Sequence, residues 1–228
     1  TGRRQGLPSN LRPPPEPMPA VTILCTDLQH PIYPYLRRWA AEHGAVADIQ
    51  IIQRSAEVQG GEILFLVSCH EIIKAPVRDR YRHTLVIHAS DLPRGKGMSP
   101  HVWQILEGST DITVTLLEAA EALDAGDIWH QETMHIPRTA LHDEIHATLF
   151  ETELRLMTWA LQHHTTVQPR QQSGAGSFYR KRNPGDSQIA LDMPIGQAFP
   201  LLRIADPQRY PAFIEVDGVR FKILIERM

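Results

Sequence analysis

The chain has 228 residues, of which 42% are hydrophobic, and this size allows one buried core with a small appendage. A formal net charge of -3 at pH 7 argues against a protein that grips nucleic acid by neutralising phosphates, because such a protein needs a basic face. No stretch approaches the roughly 18 apolar residues of a membrane span, and no signal-peptide pattern is visible. The sequence therefore predicts a cytoplasmic protein in which Cys25 and Cys69 remain reduced thiols at the ends of strand-like runs.

The first 17 residues are rich in Pro and Arg and show no apolar period. Such a segment cannot bury enough surface to offset the entropy of ordering it. Residues 1–17 are therefore predicted to be a disordered leader or a remnant of cloning.

Short apolar runs alternate with helical patterns from residue 20 onward. The helical patterns cover residues 34–43, 72–81 and 99–106, the last with Ser99 as the expected cap and Pro100 at the first helical position. This alternation predicts an α/β domain with a Rossmann-like, mainly parallel sheet. The predicted strands are residues 20–25, 48–52, 62–67, 84–88 and 112–117.

One long helix is predicted over residues 139–163 from its apolar stripe. The amino-acid composition of the chain changes after this helix. Residues 168–187 are rich in Gln, Gly and Arg, which is typical of a linker. Residues 188–228 are predicted to form a small appendage, with a helix over 195–204 followed by a hairpin. Asp217-Gly218 between two apolar runs indicates the hairpin, because both central residues of such a turn need positive φ.

Two common site patterns do not occur in the sequence. The first predicted strand runs into Cys25-Thr26-Asp27-Leu28 and not into a G-x-G-x-x-G loop, so a dinucleotide site is not expected. His142 and His146 lie one helical turn apart without the H-E-x-x-H pattern, and no Cys/His cluster has zinc spacing. No metal is therefore expected.

Polar residues follow the fourth predicted strand, at the strand end where open α/β sheets place ligands. They form the run from His88 to Gly97 (HASDLPRGKG), and a second polar loop, residues 123–128 (LDAGDI), follows the next strand. A carboxylate near an imidazole fixes the ring orientation and assists proton exchange or donation to an oxyanion. The pattern alone favours the simpler interpretation, in which His88 merely ends a strand and Asp124 merely caps a turn.

The ordered set of motifs resembles the formyltetrahydrofolate-dependent formyltransferase family. Members carry an N-x-H-x-S-L-L-P motif followed by an L-D-x-G loop, and here His88-x-Ser90-x-Leu92-Pro93 is followed by residues 123–126 (LDAG). Short sugar N-formyltransferases, such as those acting on pseudaminic acid precursors, resemble the chain further in residues 84–100, 179–187 and 201–213. The resemblance covers nearly everything from residue 18 onward and implies the formyltransferase fold, with a catalytic domain over residues 18–167.

The resemblance also implies an activity. A formyl group would pass from N10-formyltetrahydrofolate, the co-substrate, to the amine of a nucleotide-linked amino sugar, as in polysaccharide biosynthesis. No metal takes part in that reaction.

Carried over by position, His88 is the implied catalytic imidazole, Asp124 its carboxylate partner and Ser90 a supporting hydrogen-bonding residue. One position departs from the family: the usual asparagine two residues before the histidine is Val86, which cannot hydrogen-bond through its side chain. Thr84 would replace it only if the strand end bends, although strand alternation points Thr84 the same way as His88. Loss of one oxyanion donor commonly lowers the rate by about 10²–10³-fold.

Binding positions for both substrates follow from the same resemblance. The pterin would lie against main-chain groups, and the implied cofactor-binding positions are Cys69, His70, Glu71, Ile73, Ala120, Glu121 and Ala122. A basic and aromatic set suits a nucleotide diphosphate, although a solvated loop face explains part of it equally well. That set comprises Arg94, Lys96, Tyr179, Arg182, Arg203 and Tyr210.

Alternatives to the sugar substrate stay open. Methionyl-tRNA formyltransferases share the catalytic domain but carry a larger C-terminal domain that holds tRNA, and other small-amine formyltransferases share the chemistry. A folate- or sugar-nucleotide-binding relative that has lost catalysis is a third alternative, which Val86 motivates. The apolar face of the final hairpin either pairs across a homodimer or packs internally.

Overall fold

The computed structural model describes residues 17–228, so the predicted leader, apart from Pro17, lies outside the described residues. The α-helices of this part of the chain are α1 Tyr33–His43, α2 Ala75–Arg78, α3 Pro100–Leu106, α4 His142–His163 and α5 Ile195–Ile204. Its strands are β1 Ala20–Leu24, β2 Asp48–Ile52, β3 Gly61–Leu66, β4 Tyr81–His88, β5 Lys96–Gly97, β6 Asp111–Glu118, β7 Ile128–His135, β8 Phe178–Tyr179, β9 Ala212–Val216 and β10 Val219–Ile223.

A six-stranded sheet in the order β2-β1-β3-β4-β6-β7 forms the centre of the molecule. The first four strands are parallel to their neighbours, whereas β6 runs antiparallel to β4 and β7 antiparallel to β6. The predicted Rossmann-like, mainly parallel α/β sheet is therefore confirmed, with an antiparallel extension at one side.

The two faces of the sheet carry cores of different size. On one face, Leu85 of β4 belongs to the large apolar cluster that also includes Trp39 of α1 and Leu149 of α4. The opposite face has smaller clusters, one around Leu64 and one that packs Val86 with three other apolar side chains. Because strand residues alternate in direction, His88 lies on the same face as Val86.

The N-terminal region of α3 and the segment before β4 differ from the predictions. Ser99 does not cap α3 through its side chain, since its φ of 50° places it in the left-handed region. The helix predicted over residues 72–81 is only α2, because β4 begins at Tyr81. Strand β7 was not predicted; its sequence, IWHQETMH, has several polar side chains between the apolar ones.

The predicted helix and hairpin of the C-terminal part are confirmed. Asp217 and Gly218 have φ values of 50° and 78°, as the hairpin turn requires. A small cluster including Ile189, Leu202 and Ala212 packs α5 against the hairpin.

The segment over residues 168–187 is attached to the main sheet by backbone pairing. Strand β8 pairs in parallel with β5, and Arg170 and Ile128 exchange two backbone hydrogen bonds of 2.8 and 2.9 Å. Cys25 and Cys69 are free thiols, as predicted. None of the helices within residues 17–228 is both long and apolar enough to cross a membrane.

Candidate active site

His88 ends β4, and its side chain is 8% exposed. Its Nε2 lies 2.8 Å from the carbonyl oxygen of Gly95, in the loop that follows the strand. Because a carbonyl oxygen only accepts hydrogen bonds, Nε2 carries a proton in this arrangement. The other ring nitrogen, Nδ1, lies 3.6 Å from Oδ1 of Asp124.

Asp124 reaches His88 from a loop that folds back along the sheet. Since β6 is antiparallel to β4, its last residues lie beside Leu85, and the N–H of Ala119 donates to the carbonyl oxygen of Thr84 at 2.7 Å. Residues 119–127 then return towards His88. The Asp124 side chain is 6% exposed, and its Oδ2 accepts the N–H of Gly97 at 2.9 Å.

The imidazole and the carboxylate are thus brought together, from positions 36 residues apart in the chain, in a nearly dry environment. Each has a backbone partner that fixes its direction: the carbonyl of Gly95 for the ring and the N–H of Gly97 for the carboxylate. A pair of this kind can orient a ring N–H towards an oxyanion and can accept a proton.

Ser90 lies two residues beyond His88 and is 2% exposed. Its Oγ is buried and has no hydrogen-bond partner among the described residues. Its carbonyl oxygen accepts the hydroxyl of Thr115 at 2.6 Å, and Thr115 in turn accepts from Gln131 at 2.8 Å. The sequence interpretation assigned no role to Thr115, although a hydroxyl within an apolar strand was a usable signal.

Thr84 is not brought to this pair, which corrects the prediction that it could replace the missing donor. Strand β4 is continuous from Tyr81 to His88, and its pairing with β3 is regular as far as Val86. Thr84 therefore lies about 13 Å from His88 along the strand. Its hydroxyl donates instead to the carbonyl oxygen of Arg78 at 3.3 Å.

The two segments implied for folate are joined by one side chain, Arg78 of α2. Its guanidinium donates to the carbonyl oxygen of Ile73 at 2.8 Å and to that of Ala120 at 3.5 Å. It also pairs with the carboxylate of Glu121 at 2.9 Å. The segments over residues 69–73 and 120–122 are thus neighbours.

The side chains of that implied folate set face in different directions. Glu71 is engaged with Ser55, through both the N–H and the hydroxyl of that residue. The N–H of His70 donates to the Thr26 hydroxyl at 2.9 Å, and the Cys69 thiol donates to the carbonyl oxygen of Glu71 at 3.6 Å. Ala122 is exposed.

Part of the implied nucleotide set forms one surface beside the active-site loop. Tyr179 stacks on Trp103 with ring centroids 6.1 Å apart, and the Arg180 guanidinium lies 4.9 Å above the Trp103 ring. Burial raises the pKa of Tyr179 to about 12, and its hydroxyl donates to Glu107. Lys96 lies on β5, which pairs with β8.

The other members of that set are engaged elsewhere. Arg94 pairs with Asp91 at 2.5 Å, and the half-buried Arg182, whose pKa is lowered by burial, donates to the carbonyl oxygen of Asp186. Tyr210 is 64% exposed.

The structure corrects the prediction that Arg203 contacts the nucleotide. Arg203 is only 5% exposed, and it donates to the carbonyl oxygens of Pro137 and Arg138. Its guanidinium therefore holds the protein chain and is not presented to a nucleotide.

Among residues 17–228, no group of three or more His, Cys, Asp or Glu side chains is placed to hold a metal ion. The rings of His142 and His146 lie 4.0 Å apart, and the nearest carboxylate oxygen to the His142 ring belongs to Asp206 at 3.9 Å.

Comparison with known proteins finds one family model, "Formyl transferase", over residues 35–161. A methionyl-tRNA formyltransferase of Lactobacillus gasseri is 31% identical over 144 residues, which are 60% of this chain and 44% of that protein. The chain thus spans less than half the length of this relative.

Two solved structures share the fold. HypX from Aquifex aeolicus, in complex with tetrahydrofolic acid, has a TM-score of 0.78 at 19% identity, over 92% of this chain and 38% of that one. A sugar N-formyltransferase from a Shewanella species has a TM-score of 0.71 at 16% identity, over 92% of this chain and 98% of that one.

Proposed function

The chain belongs to the formyl transferase family, and from this premise we propose that it transfers a formyl group from N10-formyltetrahydrofolate to an amine. The proximity of His88 to Asp124, 3.6 Å apart and both nearly buried, carries this proposal. The two segments that Arg78 joins would hold the pterin through their main-chain groups.

The proposed chemistry is a direct acyl transfer. The uncharged amine attacks the formyl carbon, a new C–N bond forms, and the bond from that carbon to N10 breaks. The Nε2–H of His88 leaves the Gly95 carbonyl and donates to the tetrahedral oxyanion. Asp124 holds the ring and, directly or through water, accepts the proton that the amine loses, and this proton then passes to N10 as tetrahydrofolate departs.

Val86 limits the proposed rate. Its half-buried side chain packs with Leu92, Leu117 and Ile128 and supplies no donor to an oxyanion. A relative that binds folate without catalysing transfer is therefore the alternative that this residue favours.

For the acceptor, we propose the amine of a nucleotide-linked amino sugar. The surface formed by Trp103, Tyr179 and Arg180 offers aromatic faces and a cation, itself paired with Asp186, beside the loop that holds Gly95 and Gly97. Such groups suit a base and a diphosphate. The net charge of -3 is unfavourable for a long polyanion.

Methionyl-tRNA is the second candidate acceptor, because the Lactobacillus gasseri relative carries that name. We also keep as proposals the division into a domain over residues 18–167, a linker over 168–187 and an appendage over 188–228, and a location in the cytoplasm.

A homodimer through the hairpin is a further proposal, supported by the 55% and 51% exposure of Val219 and Phe221. Sedimentation of the intact chain tests it, and a single monomeric species across the concentration range contradicts it.

The function is tested by incubating the intact chain with N10-formyltetrahydrofolate and, separately, amino-sugar nucleotides, methionyl-tRNA and other small amines. Tetrahydrofolate release together with the mass gain of one formyl group on a sugar nucleotide is the expected result. His88→Ala should abolish turnover, whereas the control His135→Ala, whose side chain is 65% exposed, should not.

Other results of this assay would support a different function or mechanism. Formylated methionyl-tRNA supports the second acceptor, and folate binding without turnover on any amine supports the non-catalytic relative. Full activity in His88→Ala overturns the assigned mechanism.

A further inference from the structure

Gln172 lies in the segment after α4 and donates two hydrogen bonds to the loop that carries Asp124. Its Nε2 lies 2.8 Å from the carbonyl oxygen of Asp124 and 2.9 Å from that of Gly126. Since both partners are carbonyl oxygens, only the amide NH₂ can face them, and its two protons match the two acceptors. The orientation of this amide is therefore fixed by its contacts.

The loop that Gln172 holds has no regular structure of its own. Asp124 has a φ of 50°, a left-handed conformation that few residues with a side chain adopt without support. The loop also passes so close to β6 that a Cβ on Gly126 would lie 1.8 Å from the carbonyl oxygen of Glu118. The direction of the Asp124 carboxylate thus depends on contacts from outside the loop.

Residues 170–179, here called the strap, supply these contacts and are anchored on both sides of the site. On the Asp124 side, Arg170 pairs with Ile128 through two backbone hydrogen bonds. On the His88 side, the hydroxyl of Ser177 accepts the N–H of Gly95 at 2.9 Å, and β8 pairs with β5. Gln172 lies between these anchors, so its position is set relative to both loops.

We infer that Gln172 is a positioning residue that holds Asp124 against His88 for formyl transfer. This inference rests on the proposed function, since it assigns Gln172 no contact with either substrate. Removing its amide should let the Asp124 loop relax and the carboxylate leave the ring. A displacement of about 1 Å in such a group can lower turnover by about 10²-fold, while binding of the acceptor is kept.

The test compares Gln172→Ala with Gln171→Ala, since the neighbouring Gln171 is exposed and offers a matched control. A third variant, Gln172→Met, keeps the length of the side chain but removes its hydrogen-bond donors. It distinguishes the loss of these donors from a collapse of the strap around a shortened side chain. The expected kinetic result is a fall in kcat of about 10–10²-fold in both Gln172 variants, with KM for the acceptor unchanged. Gln171→Ala should match the unsubstituted chain.

A second measurement does not depend on activity. The N–H of Gly97 donates to Oδ2 of Asp124 at 2.9 Å, so its hydrogen exchange, followed by NMR, reports where the carboxylate is. Exchange of this amide should quicken in both Gln172 variants and stay slow in Gln171→Ala, while amides in the central sheet keep their protection.

The two measurements separate the two hypotheses. If the unsubstituted chain formylates no amine, the proposed function fails, yet faster Gly97 exchange in the Gln172 variants still supports the positioning role. Unchanged Gly97 exchange, or unchanged kcat in an active enzyme, overturns that role whatever the acceptor proves to be.

Discussion

At the scale of single residues, one substitution can remove the charge of Asp124 and keep the shape of its side chain. An asparagine in its place keeps an oxygen that can accept the Gly97 N–H but removes the negative charge 3.6 Å from His88. We predict that Asp124→Asn lowers turnover by about 10²–10⁴-fold, because an amide does not accept the amine proton. Steady-state rates of tetrahydrofolate release measure this.

The control for this prediction is a second His/Asp pair on the surface. Asp111 lies 2.9 Å from His135, with side chains that are 63% and 65% exposed. Asp111→Asn should leave turnover within about twofold, since an exposed ion pair is worth little and lies outside the proposed site. Equal losses in the two variants would contradict a specific role for Asp124.

At the scale of elements, the loop over residues 119–127 depends on Gly126. A Cβ at this position would lie 1.8 Å from the carbonyl oxygen of Glu118 and 2.7 Å from its carbonyl carbon, so backbone must move. We predict that Gly126→Ala destabilises the protein by about 1–3 kcal/mol, the usual range for overpacking, and lowers turnover by displacing Asp124. Urea unfolding and the rate assay measure the two effects.

Gly196 in α5 is the matching control, because a Cβ there meets nothing within 4 Å. Gly196→Ala should be neutral or stabilising by a few tenths of a kcal/mol. A Gly126→Ala variant as stable and active as Gly196→Ala would show that the loop shifts freely and that its close approach is not required.

The sequence predicts those elements that have a clear local signal, such as an apolar run or a turn motif. Apolar runs located the four parallel strands, and Asp217-Gly218 located the hairpin, because local φ requirements and burial determine both. Strand β7 was not predicted because its sequence mixes polar with apolar residues. Ser99 resembled a helix cap in sequence, yet its left-handed φ precludes that geometry.

The candidate site shows the same division. The motif around His88 predicted the ring and its carboxylate, whereas nothing local in the sequence indicated that Gln172 would donate to residues 46 and 48 positions earlier. Arg203 was assigned to substrate as part of a basic and aromatic set, whereas its burial against the carbonyl oxygens of Pro137 and Arg138 depends on tertiary contacts. Contacts between distant segments were therefore the part that sequence patterns could not supply.

At the scale of the whole molecule, histidines from separate segments gather in one partly buried cluster. His142 and His146 on α4 have ring centroids 4.0 Å apart, and His101 on α3 lies 6.1 Å from His146. His101 Nε2 and His146 Nδ1 are buried without partners among the described residues. Burial, reinforced by neighbouring histidines, lowers the pKa of His101 to about 4 and of His146 to about 3.

This cluster makes the stability of the fold depend on pH. A histidine in the unfolded chain has a pKa of 6.5 and binds a proton below that pH, whereas His146 in the folded chain stays neutral until about pH 3. The unfolded state therefore binds more protons in this window, and the free energy of unfolding falls as the pH falls from 6.5 towards 3. For one such histidine, the free energy of unfolding falls by about 1.4 kcal/mol for each pH unit below 6.5.

We predict that His146→Phe, whose ring can pack on Phe150 as the imidazole does at 5.2 Å, weakens this dependence. Between pH 7 and pH 5 the unsubstituted chain should lose about 2 kcal/mol more than the variant, as measured by urea unfolding at the two values. His135→Phe, at an exposed position, should lose as much as the unsubstituted chain. Parallel curves for the chain and His146→Phe would mean that His146 takes up its proton over the same pH range in the folded and the unfolded chain, which would contradict a lowered pKa.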